Sequence, residues 1–84
     1  MKAYDLGKVL CEQPKNEREK IVVTWKVFND HVFIDLRLWV RDNAHGPWRP
    51  TEKGFTLPPE RLLIFGTRLV DAGRMLQPYD GVNP

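Results

Sequence analysis

Residues 31–41, HVFIDLRLWVR, alternate large aliphatic side chains with aromatic and charged ones along the whole stretch. The aliphatic positions are Val32, Ile34, Leu36, Leu38 and Val40. This two-residue period predicts a β-strand with one apolar face. A sheet that covers a core on one side ordinarily shows polar side chains to water on the other. The second face of this strand instead carries Phe33 and Trp39 among its arginines, which suggests a binding surface.

The preceding segment, residues 20–28 (KIVVTWKVF), is rich in β-branched and aromatic residues and predicts a second strand. Asn29 and Asp30 between the two strands suit a two-residue hairpin turn, because both residue types tolerate the left-handed backbone region. Such a turn fixes the register of the hairpin. Three cross-strand pairs then form one apolar core face, whereas Lys26 faces Phe33 on the other side.

The rest of the chain predicts a loop, a short strand and a helix. Residues 42–53 are rich in Gly, Pro, Asn and Asp, which is typical of a long loop or of a loop that contains a short irregular strand. Residues 54–57 (GFTL) predict a strand. Pro59 and Glu60 suit the first turn of a helix that we expect to end near Met75.

With 84 residues, the chain is predicted to be one α+β domain. We divide it into a charged, partly mobile N-terminal extension (1–19), the domain itself (20–76) and a turn-rich tail (77–84). Cys11 is the only cysteine, and neither a signal peptide nor a membrane-spanning run is visible. We therefore expect an intracellular protein, in the cytoplasm or nucleoid of a bacterial or phage system or in a eukaryotic nucleus.

Motifs for catalysis or cofactor binding are missing from the sequence. The two histidines, His31 and His45, lie in a predicted turn and a predicted loop, and no paired-histidine, paired-cysteine or clustered-carboxylate motif occurs. A glycine-rich phosphate loop is also missing. The sequence thus predicts that the protein is not an enzyme and carries neither a metal nor a cofactor.

Aromatic rings and cations on one strand face are what a protein needs to bind single-stranded nucleic acid, because rings stack on bases and cations follow the phosphates. The candidate rings are Phe28, Phe33, Trp39 and Trp48, and the candidate cations are Lys26, Arg37, Arg41, Arg49 and Lys53. Two other interpretations stay open. The rings could be covered by the N-terminal segment or the loop as a second small core, or they could bind a protein.

The predicted helix is apolar over about half its circumference, which is more than one sheet needs. Gly66 and Gly73 lie two turns apart on that face, and each costs about 1 kcal/mol of helix stability relative to Ala. Close approach of another backbone would explain both glycines. We therefore expect a helix-mediated homodimer, the alternative being a loosely patterned terminal helix. The predicted interface is Leu62, Phe65, Gly66, Leu69, Val70 and Gly73.

Three short motifs occur in a characteristic order between residues 21 and 75. They are Ile34-Asp35-Leu36-Arg37, then Lys53-Gly54-Phe55-Thr56-Leu57, then Pro59-Glu60. In this order and spacing the chain resembles the DNA-binding domain of the positive cofactor four family of transcriptional coactivators. The resemblance implies a four-stranded antiparallel sheet followed by a C-terminal helix, with dimerisation through the helices.

The same resemblance implies sequence-tolerant binding of single-stranded or melted DNA, and a role in transcription alongside the transcription machinery. It maps Lys26, Phe28, Arg37 and Trp39 onto the family's binding strands. Arg49 and Lys53 match the basic loop before the glycine. Glu52 departs from the pattern by placing an acid where the family often has a base. An RNA-binding protein and a protein-interaction module of the same fold are therefore the alternatives, and the source organism is left open.

Overall fold

A computed structural model describes residues 7–77 and contains four antiparallel strands and one helix, which confirms the predicted α+β class. The elements are β1 (Lys8–Asn16), β2 (Glu19–Phe28), β3 (His31–Val40), β4 (Arg49–Leu57) and α1 (Pro59–Leu76). The strands lie in the order β1-β2-β3-β4, so each is hydrogen-bonded to its neighbours along the chain. Residues 1–6 of the predicted extension, and all of the predicted tail except Gln77, lie outside the described residues.

The β2–β3 hairpin has the predicted turn and register. Asn29 and Asp30 have φ angles of 52° and 63°, in the left-handed region that a tight two-residue turn requires. Pairing continues without interruption from Phe28 opposite His31 to Glu19 opposite Val40. Lys26 lies opposite Phe33, as expected from the sequence.

Both edge strands are longer than the sequence indicates. Residues 8–19, which belong to the predicted N-terminal extension, form β1, a two-residue turn and the start of β2. Strand β4 begins at Arg49 rather than at residue 54 and takes in the second half of the predicted loop. Both strands pair with register shifts, twice in β1 and once in β4. Such irregularities interrupt the side-chain alternation from which a strand is recognised.

Burial in the sheet differs from the expected single core face. Of the aliphatic face, only Ile34 is buried, and Val27 and Val32 are exposed. The opposite face holds the buried residues Val22, Thr24 and Asp35 at its centre. The expectation was wrong because α1 contacts the sheet mainly along β3 and leaves much of the aliphatic face uncovered. At the centre of the other face Thr24 lies opposite Asp35, between the half-buried residues Phe33 and Arg37 of β3.

Helix α1 starts as predicted and ends one residue later than expected. Pro58 offers no side-chain cap, and its carbonyl accepts the N–H groups of Arg61 and Leu62, both at 3.1 Å. The helix joins β4 through the edge-to-face rings of Phe55 and Phe65, whose centroids are 6.2 Å apart. None of its residues is buried. Within residues 7–77 no helix has the length and apolar character to cross a membrane.

Gly54→Ala tests the packing of β4 against β3. A Cβ atom at this position would lie 2.5 Å from the Leu36 carbonyl oxygen and 3.0 Å from the Arg37 Cα, both backbone atoms that cannot easily move. We expect the substitution to lower the free energy of unfolding by about 1–3 kcal/mol in urea denaturation. Gly46→Ala is the control, since its Cβ would meet only the Asn43 side chain at 3.5 Å. Equal stability of the two variants would contradict the packing described here.

Candidate nucleic-acid interface

One face of the β2–β3 hairpin combines rings and cations, and we call it the mixed face. Its members are Lys20, Lys26, Phe28, His31, Phe33, Arg37 and Trp39, which share a side because cross-strand partners point the same way. From Phe33 to Trp39 the face extends for about 20 Å along β3. Five of the nine residues predicted to bind nucleic acid are members: Lys26, Phe28, Phe33, Arg37 and Trp39.

The hairpin end of the mixed face is an open cluster of rings. The Phe28 side chain is 63% exposed, and it lies directly opposite His31. The rings of His31 and Phe33 meet edge to face with 6.5 Å between centroids. Flat side chains in such an open position can receive a stacked base without displacing other protein groups.

The middle of the mixed face is an ion pair. Arg37 donates from Nε to Asp35 Oδ2 at 3.0 Å and from Nη2 to Asp35 Oδ1 at 2.8 Å, a two-point contact between planar groups. The hydrogen bond to the Asp35 carboxylate raises the pKa of Arg37 above its ordinary value, so the guanidinium stays charged. Arg37 Nη1 also donates to the Thr51 carbonyl at 2.9 Å. Three of its five N–H donors are therefore occupied, and two are left for an anion.

Two residues of strand β4, Thr51 and Gly54, lie next to this guanidinium. A Cβ on Gly54 would lie 3.2 Å from the Arg37 Cζ, so a glycine here gives the arginine room to reach across the strand. Thr51 holds the irregular part of β4 in place: its hydroxyl donates to the Leu38 carbonyl at 2.8 Å and accepts from the Lys53 N–H at 3.1 Å. The Ile-Asp-Leu-Arg and Lys-Gly motifs are thus parts of one hydrogen-bonded network.

The far end of the mixed face is capped by Trp48. The Lys20 Nζ lies 4.5 Å and the Arg41 Cζ 4.2 Å from the centre of its ring. Lys20 is also ion-paired with Glu12 at 2.7 Å, and Arg41 Nε donates to the Glu17 carbonyl at 2.7 Å. A base that stacked on the part of the Trp48 ring covered by either cation would have to displace that cation.

Lys20 is a residue that the sequence reasoning missed. It lies opposite Trp39 on the mixed face. The register that places Lys26 opposite Phe33 also pairs these two residues, so the signal was available. Its contact with Trp48 was not predictable, because it depends on the path of the 41–48 loop.

The basic residues of β4 are not gathered on the mixed face. Arg49 lies opposite Val40, whose side chain belongs to the aliphatic face, and it forms an exposed ion pair with Asp42 at 3.1 Å. Lys53 is exposed and immediately precedes Gly54 at the edge of the sheet. Their participation in binding stays a prediction.

The described part of the N-terminal segment, from residue 7 onward, does not cover the rings of the mixed face. Strand β1 lies beside β2 as an edge strand and pairs with it from Lys8 to Asn16. Residues 7–77 contain no group of three or more side chains suited to hold a metal ion.

Comparisons with known proteins agree with this fold. Residues 15–65 match the family model described as Transcriptional Coactivator p15 (PC4). A crystal structure of a PC4 homologue from Burkholderia pseudomallei is 30% identical, with a TM-score of 0.73 and coverage of 87% of this chain and 97% of that chain. Its tetragonal crystal form gives 27% identity, a TM-score of 0.68 and coverage of 80% and 97%.

A more distant structure shares the fold alone. It is a bacteriophage T5 homologue of the eukaryotic transcription coactivator PC4, implicated in recombination-dependent DNA replication. It is 20% identical, with a TM-score of 0.51 and coverage of 87% of this chain and 80% of that chain. The comparison with curated proteins gave no match.

Asp35→Asn tests the ion pair at the centre of the mixed face. The side chains of Arg37 and Asp35 are only 21% and 10% exposed, so the substitution leaves a mostly buried guanidinium without its carboxylate. We expect the free energy of unfolding to fall by about 2 kcal/mol in urea denaturation. Asp42→Asn is the matched control, because its pair with Arg49 is solvent-exposed and contributes about 0.5 kcal/mol or less. A loss of unfolding free energy no larger than that of the control would show that the Asp35–Arg37 pair does not stabilise the sheet.

Proposed function

The chain belongs to the PC4 family of transcriptional coactivators, and we propose that it is a homodimeric, sequence-tolerant single-stranded DNA-binding protein that acts in transcription regulation. The observation that carries this proposal is the mixed face, where the rings of Phe28, Phe33 and Trp39 share one side of a hairpin with lysines and an arginine. Rings and cations in alternation are the two requirements for binding an unpaired strand.

In the proposed mechanism an extended strand of DNA lies along the mixed face. Bases stack on Phe28 and Phe33 at the hairpin end and on Trp39 further along β3. Phosphates meet Lys26 and the two remaining N–H donors of Arg37. Since every base has a π-face, such stacking tolerates any sequence.

The remaining predicted cations extend the path beyond the mixed face. Arg41 lies next to Trp48, and Arg49 is 58% exposed even in its pair with Asp42. A phosphate can compete for an exposed guanidinium at little cost, because surface ion pairs are weak. Lys53 forms no ion pair among residues 7–77 and is the cation most available to the DNA backbone.

The proposed homodimer is supported by the amount of surface that one chain leaves open. The accessible surface is 6977 Å², whereas a monomeric protein of this mass exposes about 5,200 Å². The radius of gyration is 15.1 Å, against about 12 Å for a compact domain of this length. The excess of about 1,800 Å² is larger than the ~800 Å² that each partner of a standard interface buries and lies in the range of obligate homodimers.

The proposed interface comprises five of the six predicted residues, Leu62, Gly66, Leu69, Val70 and Gly73, whereas the sixth, Phe65, packs against Phe55. One side of this interface is the groove between α1 and β3. It is lined by Ile34, Pro59, Leu62, Leu63, Gly66, Thr67 and Val70, none of which is charged. A Cβ on Gly66 or Gly73 would meet no atom within 4 Å in the single chain. Packing within one chain therefore gives no reason for glycine at either position, whereas the close approach of a second helix does.

Phe28→Ala tests base stacking, and its neighbour supplies the control. Removal of this ring should weaken binding of labelled oligo-dT by about 5- to 150-fold in fluorescence anisotropy, because one stacked base contributes about 1–3 kcal/mol. Val27→Ala removes a similarly exposed side chain (57%) from the opposite face of the same strand, and its affinity should be unchanged. Equal effects of the two substitutions, or no salt-dependent binding by the unaltered protein, would refute the proposed DNA surface.

The nucleic acid preferred by the protein is tested by competition. Unlabelled single-stranded DNA should displace the labelled oligonucleotide at lower concentration than duplex DNA of the same length, because only unpaired bases can stack. Single-stranded RNA is the third competitor. Displacement by RNA at a much lower concentration than by DNA would make the protein an RNA-binding member of the fold.

Leu69→Glu tests the dimer separately from DNA binding. A carboxylate placed on the proposed apolar interface should convert the protein to a monomer in light scattering coupled to size exclusion, because burying an unpaired charge is unfavourable. Met75→Glu is the control, since this exposed side chain lies outside the predicted interface. A dimeric Leu69→Glu protein would show that the interface lies elsewhere.

A further inference from the structure

Helix α1 and strand β4 form a second groove, which the proposed function does not use. It is lined by Phe55, Leu57, Arg61, Ile64, Phe65 and Arg68 and has a volume of about 360 Å³. Its floor is apolar and includes the edge-to-face pair of Phe55 and Phe65. We call it the arginine groove, because its two charged residues have the same sign.

The two arginines are positioned to act together. Arg61 and Arg68 are seven residues apart, which is two helical turns or about 10 Å along one side of α1. Ile64 and Phe65 lie between them on the same side. Neither arginine forms an ion pair or a hydrogen bond with another side chain among residues 7–77, so both guanidiniums are available to a ligand.

We propose that the arginine groove binds a short acidic and apolar segment of a partner protein. Carboxylates suit the guanidiniums because the two planar groups can make paired hydrogen bonds. In an extended peptide of the polyproline-II type, which has three residues per turn, residues three positions apart point the same way and are about 9 Å from each other. Two acids at that spacing can therefore reach both arginines, while the side chains between them pack on Phe55, Ile64 and Phe65.

Nucleic acid is a poor occupant for this groove. Phe55 lies opposite Leu36 and Leu57 lies opposite Ile34, so both belong to the aliphatic face rather than to the mixed face. The apolar side chains on the floor of the groove cannot form hydrogen bonds with sugars or phosphates. The arrangement allows the protein to hold DNA on one side of the sheet and a protein segment on the other.

A second copy of the chain suits the other groove better. The groove between α1 and β3 carries no charged residue, and it matches the apolar arc of another helix. The acids of α1 are Glu60 and Asp71, which are about 16 Å apart along the helix and so do not match two arginines about 10 Å apart. The uncharged groove between α1 and β3 therefore suits a second copy of the chain, and the arginine groove suits an acidic segment of another protein.

The test uses a fluorescein-labelled peptide of about eight residues with two aspartates three positions apart and Leu and Phe between them. We expect the full-length protein to bind it with micromolar affinity in fluorescence anisotropy. The double variant Arg61→Glu/Arg68→Glu should bind at least about tenfold more weakly. Arg74→Glu changes the same charge on α1 outside the groove and should have no effect. A peptide with asparagines in place of the aspartates should also lose at least about tenfold in affinity.

Three results would overturn the proposal. They are no binding of the peptide at about 1 mM, equal binding by the double variant, and dissociation of the dimer in the double variant, which would give the groove to a second copy. Affinity for oligo-dT is measured on the same proteins. It should be unchanged in the double variant, so failure of the peptide site is distinguished from failure of the DNA-binding function.

Discussion

The two left-handed residues at the β2–β3 turn control the chemistry of the whole sheet. Asn29 and Asp30 close the hairpin with two residues, and this length leaves only one register for ten paired positions in each strand. A shift by one residue would exchange the two faces, because strand side chains alternate. Rings would then pack under α1 and aliphatic side chains would face water, so both the binding surface and the helix contact depend on this turn.

The mixed face carries fewer uncompensated charges than its lysines and arginines suggest. Arg37 is held by Asp35, Lys20 by Glu12 and, beyond the face, Arg49 by Asp42. These carboxylates fix the positions of the cations and also lower the field that a distant phosphate would experience. In the proposed complex, stacking on rings is therefore expected to contribute a larger share of affinity than long-range attraction, in keeping with a net charge of +2.

The parts of the fold that were predictable from the sequence are those with regular periods. The hairpin register follows from alternation and one turn, and the start of α1 follows from Pro59 and Glu60. Strands β1 and β4 were missed or shortened because their register shifts break the period. The network of Thr51, Gly54 and Arg37 was not predictable, since it joins residues that are distant along the chain. The burial of the aliphatic face was overestimated, because α1 of the same chain covers only part of that face.

The meander order of the strands also bears on how the chain folds. Each strand pairs only with a sequence neighbour, so no long loop has to close before pairing begins. A hairpin of this kind forms within about 1–10 μs. The β1–β2 and β2–β3 connections both have two residues, but only the β2–β3 hairpin pairs without a register shift. It is therefore the natural nucleus onto which β1 and β4 add. Helix α1 gains most of its burial only in the proposed dimer, so the final step of folding should become faster as protein concentration rises.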